Sequence, residues 1–468
     1  MTNIAPLGKK DLPEAPPLRK LLGPSFILLG LGLGSGELIL WPYLSSNFGL
    51  GIIWAAVIGI TLQFFINMEI ERYTLVTGES IFVGFTRKFG KFAPFWFIFT
   101  TLMPWIWPGI IASSAKLVAA ALGIPYTGLI GIALLLLLGI LYSLGRVVYK
   151  TQEKIQRAII LVGIPFIFIL TIILSERSDW IALGRGLIGQ GAGYSFFPVG
   201  LPIATFLAAL AYAGAGGNLN LAQSLYIKEK GYGMGKYSGK ITNILKGSSE
   251  KIALEGSTFE VNDANLKKFK TWWRRINTEH AIVFWGTGTL TMLFLSLLAF
   301  STVFGKTGVA TSINFVIHEG KAIAQNTFPF LGTIFLVISA VMLFGTQFSV
   351  YGSNARIASE NLVLAGGQKF RTDNLSKYFY IFLWVQIASG IVILSLGFSE
   401  PLALVVTGAV ANAFSMFIYS GLVLWLNLTE LDKHLRPSLI RILACLSAFL
   451  FYGGFSLFTI IQNITKIF

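Results

Sequence analysis

Gly34-Ser35-Gly36-Glu37 interrupts one apolar stretch of the sequence, and Gly214-Ala215-Gly216-Gly217-Asn218 interrupts a second one far along the chain. A glycine inside a helix costs about 1 kcal/mol relative to alanine, and a carboxylate at membrane depth costs at least about 2.5 kcal/mol. Neither run therefore suits a helix that only crosses lipid. Matched interruptions in the two halves of a membrane protein indicate a binding site built from unwound backbone.

The composition defines the class of protein. Of the 468 residues, 54% are hydrophobic and only 12% are charged, and the mean hydropathy is +0.71. This is more apolar surface than a soluble core needs to bury, so the sequence predicts an all-α integral membrane protein. Eleven segments have the length of about 20 residues that a bilayer requires, and they are centred near residues 35, 62, 106, 135, 166, 213, 291, 340, 386, 413 and 450.

The basic residues are distributed unevenly over the predicted loops. With the N-terminus in the cytoplasm, eleven helices place 30 of the 36 Lys and Arg residues on the cytoplasmic side and 5 on the opposite side, and Lys116 lies inside helix 3. This asymmetry follows the positive-inside rule. The net charge of +15 therefore indicates a lipid bilayer and not nucleic acid as the partner. We expect a bacterial plasma membrane, with the C-terminus on the side opposite the cytoplasm, and the oligomeric state stays open.

The eleven helices divide into two sets of five and one further helix. Because five is odd, helices 6 to 10 enter the membrane from the side opposite to helices 1 to 5, which predicts an inverted repeat with discontinuous helices 1 and 6. The predicted parts are a cytoplasmic tail (1–21), the first repeat with broken helix 6 (22–227), a cytoplasmic loop (228–277), the rest of the second repeat (278–427) and the appended helix 11 (428–468).

Two hydrophilic parts lie on the predicted cytoplasmic side. The first 20 residues contain four prolines, among them Pro13, Pro16 and Pro17, and mixed charges, and we expect them to be a disordered tail. In the loop, the stretch from Asp263 to Arg275 predicts a helix with Trp272 and Trp273 beside basic residues. We expect this helix to lie at the lipid headgroups, or alternatively to act as a cytoplasmic gate or partner site.

The two runs are the predicted substrate site. Unwound backbone exposes N–H and C=O groups that protein, water or a ligand must satisfy, and half-helices beginning near Glu37 and Asn218 would point positive dipole ends at the mid-plane. Glu37 is either a ligand or proton carrier, or a carboxylate neutralised by capping or by a neighbour. Asn218 is either a ligand or only a helix N-cap. The candidate substrate-binding residues are Gly34, Ser35, Gly36, Glu37, Gly214, Ala215, Gly216, Gly217 and Asn218, with Glu37 and Asn218 as candidate metal ligands.

Other polar residues in apolar segments predict a path to this site. Lys116 either extends to the membrane interface or pairs with Glu37 or with a substrate anion. The remaining candidates carry amides that either line the path or join helices by hydrogen bonds. They are Asn220, Gln223, Gln347 and Asn412.

The sequence does not favour an enzyme. No Ser/His/Asp or His/Glu grouping occurs at one membrane depth, and the three histidines lie at segment ends or in loops, so none is expected at mid-membrane. The single cysteine, Cys445, cannot form an internal disulfide or a thiolate cluster. No cofactor is expected.

Several motifs resemble the Nramp family of proton-coupled divalent metal transporters over nearly the whole eleven-helix span. Gly23, Pro24 and Phe26 resemble the start of that family's helix 1, and Leu75-Val76-Thr77-Gly78 resembles the end of its helix 2. Gly123-Ile124-Pro125 resembles the turn after helix 3, and the run from Gly345 to Leu362 resembles the end of helix 8. The resemblance implies the leucine-transporter-type fold with a 5 + 5 inverted repeat.

The metal ligands of that family are not carried over. Its Asp-Pro-Gly-Asn motif falls on residues 34–37, so the metal-binding Asp is Gly34 and the Asn is Glu37. Its Met-Pro-His motif falls on residues 216–218, so the thioether that selects transition metals is absent. The histidine of this motif and an acidic residue of helix 3, both linked to proton movement in the family, are also missing. The resemblance therefore implies a divergent, Nramp-related branch.

These observations predict a secondary-active transporter of a small inorganic ion that works by alternating access. A divalent cation is the first candidate, and loss of the thioether favours a hard ion such as Mg²⁺ or Mn²⁺. The alternative is a small anion such as bicarbonate, bound by helix N-termini and Lys116 and coupled to a proton or another cation. A transporter of small organic solutes, a passive channel and a non-transporting receptor are less favoured.

Overall fold

The computed structural model describes residues 4–21, 23–144, 148–238, 254–306, 312–366, 372–398 and 400–464. In these residues, nine helices are long and apolar enough to cross a membrane. They are helix 1 (Pro24–Phe48), helix 2 (Leu50–Thr77), helix 3 (Phe92–Leu122), helix 5 (Val148–Leu174), helix 7 (Asp263–Val303), helix 8 (Pro329–Gly366), helix 9 (Thr372–Ser395), helix 10 (Pro401–Glu430) and helix 11 (Leu439–Ile464).

The other two predicted membrane helices are shorter or broken. Helix 4 is the 17-residue helix Gly128–Leu144. Helix 6 consists of two half-helices, helix 6a (Ile203–Ala211) and helix 6b (Ala222–Lys230). The all-α membrane fold is therefore confirmed, and the count of eleven membrane helices stays a prediction.

Short elements connect the long helices. Three further α-helices are Ile81–Phe89, Arg177–Gly186 and Asn314–Asn326. Four of the 3₁₀-helices are Leu18–Lys20, Gly217–Leu219, Gly233–Tyr237 and Thr372–Asn374. Strands β1 (Gly8–Lys9) and β2 (Ser257–Thr258) pair in parallel, with Gly8 opposite Ser257. Helix 3 is also interrupted, between Trp105 and Gly109, where Pro108 lies.

The N-terminal tail is ordered over its described residues, so the prediction of a disordered tail is wrong. Its backbone carbonyls are acceptors for side chains of the first part of helix 7. The indole of Trp272 donates to the Pro13 carbonyl at 2.7 Å, and Arg275 donates to the Pro16 carbonyl at 2.8 Å. The strand pair adds a second attachment.

The loop helix predicted from Asp263 to Arg275 begins at Asp263 and runs into helix 7. The Trp272 side chain is 2% exposed and lies against the tail, so the lipid-facing interpretation is wrong for this residue. The loop residues 239–253 lie outside the described part of the chain.

Helix 1 lies at the centre of the helix assembly. In its most apolar 18-residue window, 94% of the residues are buried, compared with 33% for helices 5, 9 and 11. Apolar side chains such as Leu161, Ile172 and Leu450 are exposed on helices 5 and 11, as expected where lipid replaces water. The first glycine-rich run therefore lies inside the protein and not at its lipid surface.

Candidate functional site

Helix 1 does not unwind at residues 34–37. It continues as a π-helix over Leu33–Leu40, and the amide of Trp41 donates to the carbonyl of Gly36 five residues earlier. The predicted discontinuity of helix 1 is therefore a widened turn, of the kind that is frequent at functional sites. No second half-helix begins near Glu37, and the positive dipole end expected there is absent.

A threonine of helix 8 explains why helix 1 widens. The Thr346 hydroxyl accepts a hydrogen bond from the Gly34 amide at 2.8 Å and donates one to the Gly30 carbonyl at 2.8 Å. An α-helix would pair these two backbone groups with each other, since they are four residues apart. A side chain inserted into that ladder is a known cause of local helix distortion.

The glycines of helix 1 allow close contact with helix 6. A Cβ atom at Gly36 would lie 1.6 Å from the Tyr212 carbonyl oxygen, and one at Gly32 would lie 2.5 Å from the Gly214 carbonyl oxygen. Any larger residue at these two positions would push the backbones apart. Gly34 faces helix 8 instead, where a Cβ atom would lie 2.8 Å from the Thr346 hydroxyl oxygen.

Helix 6 is broken, as predicted. Between helices 6a and 6b, Gly214, Gly216 and Gly217 have φ angles of 140°, 74° and 54°, which side chains with a Cβ atom rarely adopt. Ala215 lies between them and is fully buried. The glycines in this run are therefore required by the backbone conformation itself.

Gln63 of helix 2 satisfies the broken backbone. Its Nε2 atom donates to the Ala211 carbonyl at the end of helix 6a at 3.0 Å. Its Oε1 atom accepts from the Gly216 amide at 3.3 Å and from the Asn220 side chain at 3.1 Å. One fully buried side chain thus pairs groups on both sides of the break, which buried backbone requires.

Glu37 and Asn218 face different neighbours. Glu37 is fully buried near helix 7, where a Cβ atom on Gly288 would lie 3.4 Å from its Oε1 atom. Both of its carboxylate oxygens lack a hydrogen-bond partner among the described residues. Asn218 donates to the hydroxyls of Thr100 at 2.8 Å and Thr101 at 3.0 Å in helix 3. It does not cap helix 6b, so the N-cap interpretation is wrong.

The amides of the predicted polar path divide into two groups. Asn220 donates to the Tyr419 hydroxyl at 2.8 Å, and Asn412 donates to the Tyr212 hydroxyl at 2.9 Å, so both lie at the break. The Gln223 side chain instead donates to Glu71 of helix 2 at 2.6 Å.

Three other predicted residues form no contact with Glu37 that is seen in the described chain. Gln347 is buried beside Thr346, and its Nε2 atom has no partner in the described residues. Ser35 is likewise buried with an unpaired hydroxyl. Lys116 is only half-buried and joins none of the ion pairs found between described residues. A Lys116–Glu37 pair is therefore not observed.

The residues of the break are all buried. A cavity of about 10 Å³, room for about one water, lies between helices 3, 6a and 10, and its lining includes Trp105, Tyr212 and Gly408. In the described part of the chain, no three His, Cys, Asp or Glu residues are grouped so that they could hold a metal ion. A cation at the break would rely on amide, hydroxyl and carbonyl oxygens and on the single carboxylate of Glu37.

Charged residues close the predicted cytoplasmic end. The last three residues of helix 6b each form an ion pair with helix 5 or helix 8. The pairs are Lys228 with Glu360 at 3.8 Å, Glu229 with Arg356 at 3.5 Å, and Lys230 with Glu153 at 3.0 Å. Arg356 is fully buried, so the end of helix 6b is held against helices 5 and 8.

Sequence reasoning did not find several residues that organise the site. Gln63 and Thr346 are single polar residues in apolar helices, and their polarity was the available signal. Thr100, Thr101 and Tyr419 have hydroxyls that are common in membrane helices, and no sequence pattern distinguished them.

Solved structures share this fold. The manganese transporter of Eremococcus coleocola, in a single-residue variant, superimposes with a TM-score of 0.71 at 13% sequence identity, over 98% of this chain and 91% of that chain. The same transporter with an aromatic bis-isothiourea substituted compound gives 0.68 at 14% identity, over 99% and 91%. MhsT in complex with L-phenylalanine gives 0.52 at 14% identity, over 93% and 97%. No family profile and no curated protein matches the sequence.

At this level of identity the likeness concerns the fold. The chain has the fold of membrane transporters of the leucine-transporter type. Within that class, its fold is similar to that of an Nramp-type manganese transporter, as the helix-end motifs predicted.

Proposed function

We propose that the protein is a secondary-active transporter of a small inorganic ion, and that the ion binds where helix 6 is broken beside the π-helical turn of helix 1. The observation that carries this proposal is the non-helical backbone of residues 214–217, which is fully buried and contains three glycines with positive φ angles. Irregular backbone at membrane depth is tolerated where it is buried in protein or lines a cavity. In transporters, such breaks lie at the substrate site.

We propose a hard divalent cation, such as Mn²⁺ or Mg²⁺, as the substrate. The unpaired side-chain atoms of Asn220, Asn412 and Glu37 in this region are oxygens, and hard cations prefer oxygen ligands. No thioether is present in the break to favour a softer metal. The similarity in fold to a manganese transporter adds support. The residues of the two runs, with Glu37 and Asn218 as the tentative ligands, remain the proposed site.

A small anion such as bicarbonate is the second candidate. What favours it is Glu37, which has no partner among the described residues and would leave the site without negative charge if it were protonated. The anion hypothesis loses support elsewhere, because helix 1 has no half-helix N-terminus and Lys116 is not paired with the site. The L-phenylalanine bound by MhsT keeps a small organic solute as a third candidate.

Glu37 has a proposed second role as a proton carrier. An ionised carboxylate without a counter-charge costs several kcal/mol when buried, so we propose that Glu37 holds a proton when the site is empty and closed. Releasing that proton would supply a negative ligand to an entering cation. This would couple one proton to each transported ion.

We also propose that the chain is a divergent Nramp-related transporter with the predicted 5 + 5 repeat and appended helix 11. In this proposal it lies in a bacterial plasma membrane with its N-terminus in the cytoplasm. The dense basic charge at one end of the helices supports this orientation. The neighbours in fold are transporters, which supports a transporter and not an enzyme.

The test is ion flux into proteoliposomes that contain the purified full chain. Uptake of Mn²⁺ and Mg²⁺ is compared with bicarbonate-driven change of internal pH, for wild type, Glu37→Gln and Lys116→Met. The metal proposal predicts saturable metal uptake that Glu37→Gln reduces about tenfold or more, as loss of a charged ligand entails, and that Lys116→Met leaves within about twofold. Metal uptake that is unchanged in Glu37→Gln would contradict the coordination role of this residue.

A further inference from the structure

A second group of buried polar side chains lies on the predicted cytoplasmic side of the break. It joins Ser25 of helix 1, Glu71 of helix 2, Gln223 of helix 6b, and Glu279 and His280 of helix 7. Each of these side chains is between 0% and 3% exposed. Helices 1, 2, 6b and 7 therefore all contribute to one polar cluster within the helix assembly.

Hydrogen bonds connect this cluster into a chain. The Ser25 hydroxyl donates to Glu279 Oε2 at 2.5 Å and lies 2.8 Å from His280 Nδ1. The same Nδ1 atom lies 3.5 Å from Glu71 Oε1, which accepts from Gln223 Nε2 at 2.6 Å. The order of groups is thus Glu279, Ser25, His280, Glu71 and Gln223.

This order fixes where the imidazole carries its hydrogen. With Glu279 ionised, the Ser25 hydrogen is directed to Glu279 and the Ser25 oxygen accepts, so His280 Nδ1 is the donor in that state. The ring itself packs between Phe64 and Phe284, with centroid distances of 5.6 Å and 4.7 Å. From the Nδ1–H group, a proton can therefore pass through Ser25 to Glu279 or directly to Glu71.

Several polar atoms of the cluster have no hydrogen-bond partner in the described part of the chain. Glu71 Oε2, Glu279 Oε1 and His280 Nε2 are buried and have no partner among the described residues, and neither does Gln223 Oε1. A cluster with only structural hydrogen bonds would leave fewer groups unsatisfied. The two carboxylate oxygens and the imidazole nitrogen provide free positions for a proton.

The surrounding cations are already paired with other carboxylates. Lys230 lies 3.0 Å from Glu153, and Arg441 lies 3.4 Å from Glu69. Arg441 interacts electrostatically with Glu71, and Lys230 and Glu153 interact with Glu279. Glu279 in turn interacts electrostatically with Tyr149 and Tyr232. With both carboxylates ionised and His280 neutral, two negative charges would be buried without an ion-pair partner of their own.

We propose that Ser25, Glu71, Glu279 and His280 form a proton-binding relay that is linked through Gln223 to the position of helix 6b. When a proton binds His280 Nε2, which has no partner among the described residues, the Nδ1 hydrogen passes to Ser25 as the Ser25 hydrogen passes to Glu279 Oε2. Glu279 then holds one more proton, and His280 is again neutral with its hydrogen on Nε2. The proposal rests on the proposed transport function only for its purpose, since the proton binding is a property of the resting protein.

The first test measures protonation directly, without transport. Infrared difference spectra of the purified full chain between low and high pH are recorded for wild type, Glu71→Gln, Glu279→Gln and the exposed control Glu260→Gln. We expect a buried carboxylic-acid band in wild type and the control that is smaller in each cluster variant, while the buried carboxyls of Glu37 and Glu319 contribute the same part in all four proteins. A band that is unchanged in both cluster variants would overturn the relay.

The second test uses a variant that keeps both carboxylates. Ser25→Ala removes only the hydroxyl that joins His280 to Glu279, and we expect it to slow proton uptake after a pH jump by about tenfold or more, since a positioned proton-transfer group contributes at least this factor. Uptake at the wild-type rate would contradict transfer through Ser25. If neither metal nor anion is transported but the infrared band behaves as expected, the proposed function fails and the relay stands. If transport occurs and the band does not respond, the relay fails alone.

Discussion

The hydroxyl oxygen of Thr346 lies 2.8 Å from the amide nitrogen of Gly34 and bridges it to the Gly30 carbonyl. The Thr346 side chain of helix 8 thereby replaces a backbone hydrogen bond of helix 1, next to Glu37 in the π-helical turn. The position of the Glu37 carboxyl thus depends on a side chain of helix 8. Movement of helix 8 relative to helix 1 would alter the candidate site.

Replacing Thr346 by valine tests this bridge, because valine has nearly the same shape without the hydroxyl. We expect Thr346→Val to lose about 1–3 kcal/mol of unfolding free energy, since two buried backbone groups lose their partner. Thermal unfolding in detergent measures the change, and Thr346→Ser, which keeps the hydroxyl, is the control. Equal stability of wild type and Thr346→Val would show that the bridge contributes nothing.

The contact between helices 1 and 6 gives a second prediction. Gly36→Ala places a methyl group 1.6 Å from the position of the Tyr212 carbonyl oxygen, and we expect a loss of about 3 kcal/mol or more. Gly184→Ala is the matched control, because this helical glycine has no atom within 4 Å of the added carbon. A folded Gly36→Ala protein with wild-type unfolding temperature would contradict the close approach of the two backbones.

A variant of Gln63 can show whether this residue is needed for transport as well as for stability. Gln63→Leu leaves the Ala211 carbonyl and the Gly216 amide without their partner, and we expect it to destabilise the protein by about 1–3 kcal/mol and to abolish ion flux. Gln386→Leu is the control, since Gln386 is a buried glutamine of helix 9 that accepts from Asn354 at 3.0 Å. We expect this control to lose similar stability and to retain flux. Loss of flux in both variants would assign the effect of Gln63 to stability alone.

Glu319 gives a prediction of pH dependence. It lies in the helix Asn314–Asn326 outside the membrane helices, and burial raises the pKa of its carboxyl well above the ordinary range. The folded protein therefore binds a proton that the unfolded chain releases above about pH 4.3, and stability falls as the pH rises from there toward the folded pKa, by about 1.4 kcal/mol per pH unit. We expect Glu319→Gln to remove this loss and to unfold at a higher temperature than wild type at pH 8 but not at pH 4.

The control for this experiment is Glu260→Gln, whose carboxylate is exposed beside Lys9. Its unfolding temperature should follow wild type across the whole pH range. If Glu319→Gln also follows wild type at pH 8, burial of the Glu319 carboxyl does not influence stability.

The pair of Arg356 and Glu229 tests the closure at the end of helix 6b. Removing only the guanidinium with Arg356→Met leaves a buried carboxylate, and we expect a loss of about 3–5 kcal/mol. The double variant Arg356→Met/Glu229→Met removes both charges and should recover most of that loss. Additive destabilisation by the two changes, measured by denaturant unfolding, would show that the two side chains do not interact.

The membrane helices and the break in helix 6 could be predicted from hydropathy and from the positions of glycines. The break in helix 6 was predictable because Gly214, Gly216 and Gly217 have φ angles that other residues avoid. At helix 1 the same argument failed, because Gly32 and Gly36 serve close packing against helix 6. Composition alone does not separate these two uses of glycine.

The hydrogen-bond partners of polar side chains depend on tertiary structure and were not predicted from the sequence. Asn218 is held by Thr100 and Thr101 from helix 3, residues more than a hundred positions away. The burial of His280 beside Glu71 was also not expected from its place at the end of an apolar segment. The tail was mispredicted because its partners, Trp272 and Arg275, supply donors to carbonyls that the tail sequence does not reveal.

The most direct test of transport by alternating access at the helix 6 break is counterflow. Proteoliposomes are loaded with unlabelled Mn²⁺ and diluted into buffer with trace radioactive Mn²⁺, for wild type and for Gln63→Leu. We expect transient accumulation of label above equilibrium in wild type and no such accumulation in the variant. Label that only equilibrates in wild type, without an overshoot, would show a passive pathway, and identical overshoot in both proteins would place the ion elsewhere.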